Sequence, residues 1–222
     1  MKRSLQVIAA SFLALLNQLA LAQGIFQNLN FEGTTIPQTQ PPGNVSSLDA
    51  LPFWTVYTGT NQLSQVFFNE IALGSTYVDL LGTNGSLGAR AIQGGYSVLL
   101  QGGGTATDAS IRQTGTVPTG SQTIYFAAQT GGGSLIVSLG GSALSYVAVS
   151  NGPNFVEYGA DISAYAGQTL ELEFSAPRYS FDNDWNIDSI RFSTSQIPEP
   201  TIFGLFGLGA LLLNYRFLRR RR

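Results

Sequence analysis

The sequence predicts an all-β body, an antiparallel β-sandwich, flanked by an apolar helix at each end of the chain. Three observations predict it. Short runs rich in β-branched and aromatic residues recur through the middle of the chain, bounded by Gly, Pro, Ser and Asn. No long apolar pattern of period 3.6 crosses that region. The apolar segments suited to helices lie near the termini, at residues 5–16 and 201–218.

The N-terminal segment reads as a secretory signal peptide over residues 1–22. Lys2 and Arg3 precede the apolar stretch from Leu5 to Leu16. Ala20 and Ala22 then place small residues where a signal peptidase reads them, so the mature chain is expected to start at Gln23. The run is too short for a comfortable membrane span.

The body, residues 23–196, has the length of one domain. Its candidate strands are 25–31, 53–59, 64–73, 76–82, 96–102, 109–115, 123–129, 134–140, 144–150, 155–162, 169–175 and 185–193. Several alternate cleanly. In TLELEFS, Leu170, Leu172 and Phe174 fall on one face and Glu171, Glu173 and Ser175 on the other. Many short strands at even spacing predict a sandwich or barrel. Residues 33–52 are rich in Pro and polar residues and read as a long early loop. The glycine triplets at 102–104 and 131–133 read as hairpin turns, since no helix start or Lys-Ser/Thr pair comes after either to cradle a phosphate.

Composition excludes much chemistry. The chain has neither Cys nor His. Disulfides, thiol or Ser-His nucleophiles and Cys/His zinc sites are thereby removed, and a metal site must use oxygen ligands. The body keeps four arginines, no lysine and twelve acids, a formal charge of −8. Such a surface repels phosphate backbones, so nucleic acid is not a partner. No spacing singles out a pair of carboxylates for acid–base work, and the body is expected not to be an enzyme.

The C-terminal segment, residues 197–222, has three parts. Pro198-Glu199-Pro200 is stiff and separates the body from the apolar stretch beyond it. Residues 201–215 are apolar apart from Thr201 and Asn214, and fifteen helical residues reach about 22 Å against a hydrocarbon core of about 30 Å. Phe217 and Leu218 extend the span to 201–218 if Arg216 snorkels. Arg219, Arg220, Arg221 and Arg222 then place the basic end in the cytoplasm and the body outside it. In this order the three parts closely resemble the PEP-CTERM sorting signal of Gram-negative bacteria. The resemblance implies recognition by an exosortase, processing near Pro198-Glu199-Pro200, and delivery by way of the inner membrane to the cell surface or extracellular matrix. It associates the chain with exopolysaccharide and biofilm. Asn214 inside the helix departs from a fully apolar span.

The two ends of the body carry a second resemblance. NLNFEG (28–33) precedes LPFWTVYTG (51–59), and ADISAYAGQTLELEF (160–174) precedes FDNDWNIDSIRF (181–192). This set resembles the jelly-roll sandwiches of the galactose-binding-like group, which includes many carbohydrate-binding modules. There the last strand closes a sheet beside the first, and a structural calcium often bridges them. The resemblance implies Glu32 and Asp188 as its carboxylate ligands. Read on its own residues, the Asp182–Asp188 run is equally a polar turn whose side chains cap their own backbone. Trp54 and Trp185 are candidates for sugar stacking, although their apolar neighbours read as core. The function expected is adhesion or matrix structure without catalysis. A dedicated carbohydrate-binding module and a carbohydrate-active enzyme are the alternatives.

Overall fold

The computed structural model describes residues 24–72, 74–85, 88–104, 107–178 and 183–197. The expected signal peptide with its cleavage residues Ala20, Ala22 and Gln23, the sorting segment from Pro198 onward and Asp182 lie outside the described residues. No helix among the described residues is long and apolar enough to cross a membrane.

Among the described residues, fourteen strands form two sheets that face each other. In chain order they are β1 (Gly43–Ser46), β2 (Thr55–Thr58), β3 (Asn61–Leu63), β4 (Gln65–Phe68), β5 (Tyr77–Leu81), β6 (Ser97–Gly102), β7 (Ala109–Thr116), β8 (Thr123–Thr130), β9 (Ile136–Leu139), β10 (Ser142–Ala143), β11 (Tyr146–Asn151), β12 (Val156–Asp161), β13 (Thr169–Ala176) and β14 (Asn183–Ser193). The larger sheet runs β1-β4-β5-β6-β14-β8-β12-β11 and the smaller β10-β9-β13-β7-β2-β3. The core lies between them. Phe126 of β8 meets Phe174 of β13 edge to face, with centroids 5.3 Å apart. The expected β-sandwich is therefore present. It departs from a purely antiparallel plan at β4 and β5, which pair in parallel.

Alternation explains most strands. Leu172 and Phe174 are buried while Glu171 is exposed. β5 and β6 are buried along their whole length, because loops cover their outer face as the second sheet covers the inner one. β14 sends Trp185 and Ile187 inward. A bulge then shifts its register between Asp188 and Arg191, with Ser189 at φ 50°. The extra residue moves the inward face to Ile190, whose N–H leaves the ladder and donates to Leu29 O at 2.9 Å.

Three expectations are corrected. Residues 25–31 form no strand; a single parallel bridge joins Ile25 to Thr116. Asn28 and Phe31 take left-handed φ of 49° and 58°, which breaks an extended chain. The segment instead closes one end of the core: Phe26 stacks on Phe192 at 5.2 Å, and Phe31 meets Trp54 at 5.7 Å. Residues 33–52 are not one loop, since they hold β1 and the short helix α1 (Ser47–Ala50). Ser46 caps α1 by accepting the Asp49 N–H. Neither glycine triplet is a hairpin turn, because each carries the chain from the larger sheet to the smaller. The first is needed for close approach: a Cβ on Gly102 would stand 2.1 Å from Pro177 O, and one on Gly103 2.5 Å from Ser75 C.

Gly115 does the same for the closing segment, where a Cβ would meet Phe26 Cδ1 and Cγ at 2.8 Å and its backbone N at 2.9 Å. Gly115→Val is expected to push Phe26 off Phe192 and cost about 1–3 kcal/mol in chemical denaturation. Gly24→Ala has room and is the matched control.

Candidate functional site

The richest polar chemistry lies on the outer face of the larger sheet, where β5, β6 and β14 run side by side. Registry builds it. Tyr77 pairs with Gln101 and Gln101 with Asp184. Asp79 pairs with Leu99 and Leu99 with Asn186. The loops after β4 and after β5 cover these rows. Gln101 Nε2 donates to Ala72 O at 3.1 Å and Ser75 O at 2.6 Å. Asn186 Nδ2 donates to Arg90 O at 3.0 Å.

Asp79 is wholly buried in the middle of this face. Its Oδ2 accepts the Glu70 N–H at 3.1 Å, and its Oδ1 makes no hydrogen bond. Burial pushes its carboxyl up to about 8, with the Glu70 and Asn69 amides opposing and the Glu70 charge adding. The group is therefore mostly protonated at pH 7. Burial also raises the Tyr77 hydroxyl, and Asp184 and Asp79 raise it further. Ser97 Oγ and Asn186 Oδ1 are buried on the same face without a hydrogen-bond partner. Together they offer a neutral acid, an alcohol and an amide oxygen. Beside them a groove of about 260 Å³ opens at the sheet margin, lined in part by Leu63, Phe67, Tyr77 and Asn44.

Glu32 and Asp188 come together on one loop. Glu32 Oε1 accepts the N–H groups of Gly95 at 2.7 Å and Tyr96 at 3.1 Å. Asp188 Oδ2 accepts the Gln93 N–H at 3.2 Å, and its Oδ1 the Ser189 N–H at 2.6 Å. Burial raises the Asp188 carboxyl to about 7; the Ser189 and Gln93 amides oppose this, and the Glu32 charge adds to it. Three of the four carboxylate oxygens thus already hold backbone donors. That arrangement ties the loop down and does not fit a calcium site, which needs six to eight oxygen ligands facing the ion. Among the described residues no group of three or more acids is placed to hold a metal.

Trp54 and Trp185 are corrected as stacking platforms. They are 3% and 5% exposed, and their indole N–H groups donate to Asn28 O and Asn183 Oδ1. Phe53 is the exposed aromatic beside Trp54, at 60%, while half-buried Tyr57 and buried Tyr125 are each covered by an arginine at 4.4 Å, Arg112 and Arg191. Those arginines also pair with Glu173 and Glu157. The Arg191 hydrogen bond holds Glu157 below the usual carboxylate range.

Comparison with known proteins adds the decisive observation at the end of the chain. Residues 196–222 match the PEP-CTERM protein-sorting motif. The PEP-CTERM motif marks an exported, membrane-anchored protein that an exosortase-type enzyme processes. It begins three residues after β14 ends at Ser193. No curated protein matches the chain. Among solved structures, a cyclase from Fischerella sp. TAU is similar at 15% identity, covering 77% of this chain and 96% of its own, with a TM-score of 0.46. TmCBM61 in complex with β-1,4-galactotriose is similar at 15% identity, covering 78% and 100%, with a TM-score of 0.39. A family 11 carbohydrate-binding module from Clostridium thermocellum, in complex with a β-1,3-1,4-mixed-linked tetrasaccharide, is similar at 10% identity, covering 71% and 98%, with a TM-score of 0.37.

The buried acids make stability depend on pH. Asp79 and Asp188 have folded-state values near 8 and 7, far above an unfolded aspartate near 4. Between those limits the folded chain binds more protons than the unfolded one, so stability falls as pH rises. Each group contributes a slope of about 1.4 kcal/mol per pH unit at most. Unfolding free energy is expected to drop between pH 5 and pH 8, and Asp79→Asn to flatten that drop. Metal is a separate expectation: the melting temperature in excess calcium should equal that in chelator, and a rise with calcium would reinstate Glu32 and Asp188 as ligands.

Proposed function

We propose that the mature body is a non-catalytic module of the cell surface or extracellular matrix, serving adhesion or structure. The observation that carries this reading is the PEP-CTERM motif set directly after the last strand of the body. On this reading signal peptidase cuts before Gln23 and export places the body outside the cytoplasm. Residues 201–218 hold it at the inner membrane until an exosortase-type enzyme acts near Pro198-Glu199-Pro200. Two features support a role without chemistry. The chain has no Cys or His. Four of its carboxylates are held in internal ties: Glu32 and Asp188 hold a loop, and Glu157 and Glu173 hold arginines.

Binding of exopolysaccharide is the second reading, favoured by the polar face around Asp79. A protonated carboxyl, Asn186 Oδ1 and Ser97 Oγ suit neutral hydroxyl-bearing ligands, although the loops that cover this face would have to part. Trp54 and Trp185 take no part in it.

Intact mass of the protein from its native host tests the sorting reading. A species beginning at Gln23 and ending between Pro198 and Thr201 is the expected result. Replacing Pro198, Glu199 and Pro200 together by Ala is expected to leave the C-terminus through Arg222 intact and the protein in the membrane fraction. A wild-type chain that also keeps its full C-terminus would make the tail a permanent anchor.

A further inference from the structure

Charge is distributed unevenly over the body. From Gln113 to Val156 there is no Asp, Glu, Lys or Arg, although the body carries four arginines and twelve acids. This run supplies β8, β9, β10 and β11. The topology gathers the last three at one flank. β11 is the terminal strand of the larger sheet, and β10 with β9 closes the smaller. Only Leu144 and Ser145 carry the chain from one sheet's edge to the other's.

The four terminal strands are not alike. β1, β3 and β10 have four, three and two residues, whereas β11 has six. Natural sheets protect an edge by keeping it short or by placing Lys, Pro, an inward charge or a bulge on it. β11 has none of the first four. Its sequence is YVAVSN, and Val147 is 53% exposed. It carries one bulge, at Val149, which leaves the stretch Tyr146–Ala148 in regular register with β12. The nearest acid on the neighbouring strand, Glu157, is neutralised by Arg191 and also accepts from Ser150 Oγ. Asp161 lies at the far end of β12 and is exposed.

A body of formal charge −8 repels its own copies wherever acidic surfaces meet. The neutral flank is the approach with least repulsion, and it is also where a long open edge lies. Antiparallel pairing of one strand with its own copy is self-complementary about a two-fold axis and satisfies the same backbone groups on both sides. We propose that β11 is a docking edge for a second copy of this chain, the two edges pairing antiparallel to join the eight-stranded sheets into one. The proposal rests on the structural role of the body only for its purpose. Its test measures pairing of the chain directly, so either can fail while the other stands.

The chain is free of cysteine, so each introduced thiol is unique. Full-length protein in detergent micelles would carry one cysteine at a time at Val147, Ala148 or Ser150 on β11, or at Asn61 on β3 as the control on the opposite flank. After mild oxidation, non-reducing electrophoresis is expected to show a disulfide-linked dimer from the β11 position nearest the two-fold axis and none from Asn61→Cys. Adding Val147→Lys to Ala148→Cys is expected to abolish that dimer while the near-UV circular dichroism stays unchanged, because like charges brought together beside the pairing axis repel. Equal cross-linking from both flanks overturns the proposal. So does its absence from every β11 position, or a dimer that survives Val147→Lys.

Discussion

Everything in this molecule is arranged around where β14 lies. The last strand of the body is not added at an edge; it is inserted between β6 and β8, in the middle of the larger sheet. Its inner face gives Trp185, Ile187 and Ile190 to the core, and its outer face gives Asp184, Asn186 and Asp188 to the polar rows. Its bulge turns an N–H toward Leu29 and so docks the segment that closes the core's end. A central strand is held by hydrogen bonds on both sides. The sorting motif thus begins just beyond a strand paired on both sides.

The outer face of that sheet shows a constraint acting against stability. Strands buried on both faces ordinarily carry apolar residues alone. Here Asp79 and Asn186 sit among them, and a wholly buried carboxyl is tolerated by staying protonated. Asp188 is handled differently. It is almost as buried and its carboxyl is also raised, but both its oxygens accept backbone N–H groups, whereas Asp79 leaves Oδ1 unbonded. Two aspartates on one face thus serve different ends: one ties down a loop, and the other stands with an oxygen unbonded.

Much of this is legible in the sequence, for reasons that particular residues show. Alternation in TLELEFS marks β13, and TIYFAAQ marks β8, because side-chain period reports directly which face meets the core. Partners are not encoded in period. NLNFEG looks extended, yet Asn28 and Phe31 turn left-handed because Phe26 and Phe31 are drawn into the end of the core. The glycine triplets look like turns, yet at 102–103 the lack of side chains serves close backbone approach to Pro177 and Ser75, and at Gly133 it leaves room for the Asn183 side chain. The apolar neighbours of Trp54 and Trp185 already read as core, and both are buried. Asp79 carries a subtler signal: in YVDLL it interrupts a strand apolar on both faces, which is where an acid must be buried. The cap on α1 is equally local, with Ser46 three residues before Asp49.

The placement of β14 also sets an order of events. Because β6 and β8 flank it, the larger sheet has a gap at its centre until residues 183–193 arrive. Pairing over such sequence distances is slow, since loop closure must be met before any contact repays it. These residues are also the last of the body in chain order, immediately ahead of the sorting motif at 196. Until they arrive β6 and β8 each expose a long inner edge, and β8 is free of charge. β14 therefore completes the larger sheet rather than extending it: among the described strands it alone pairs with both β6 and β8.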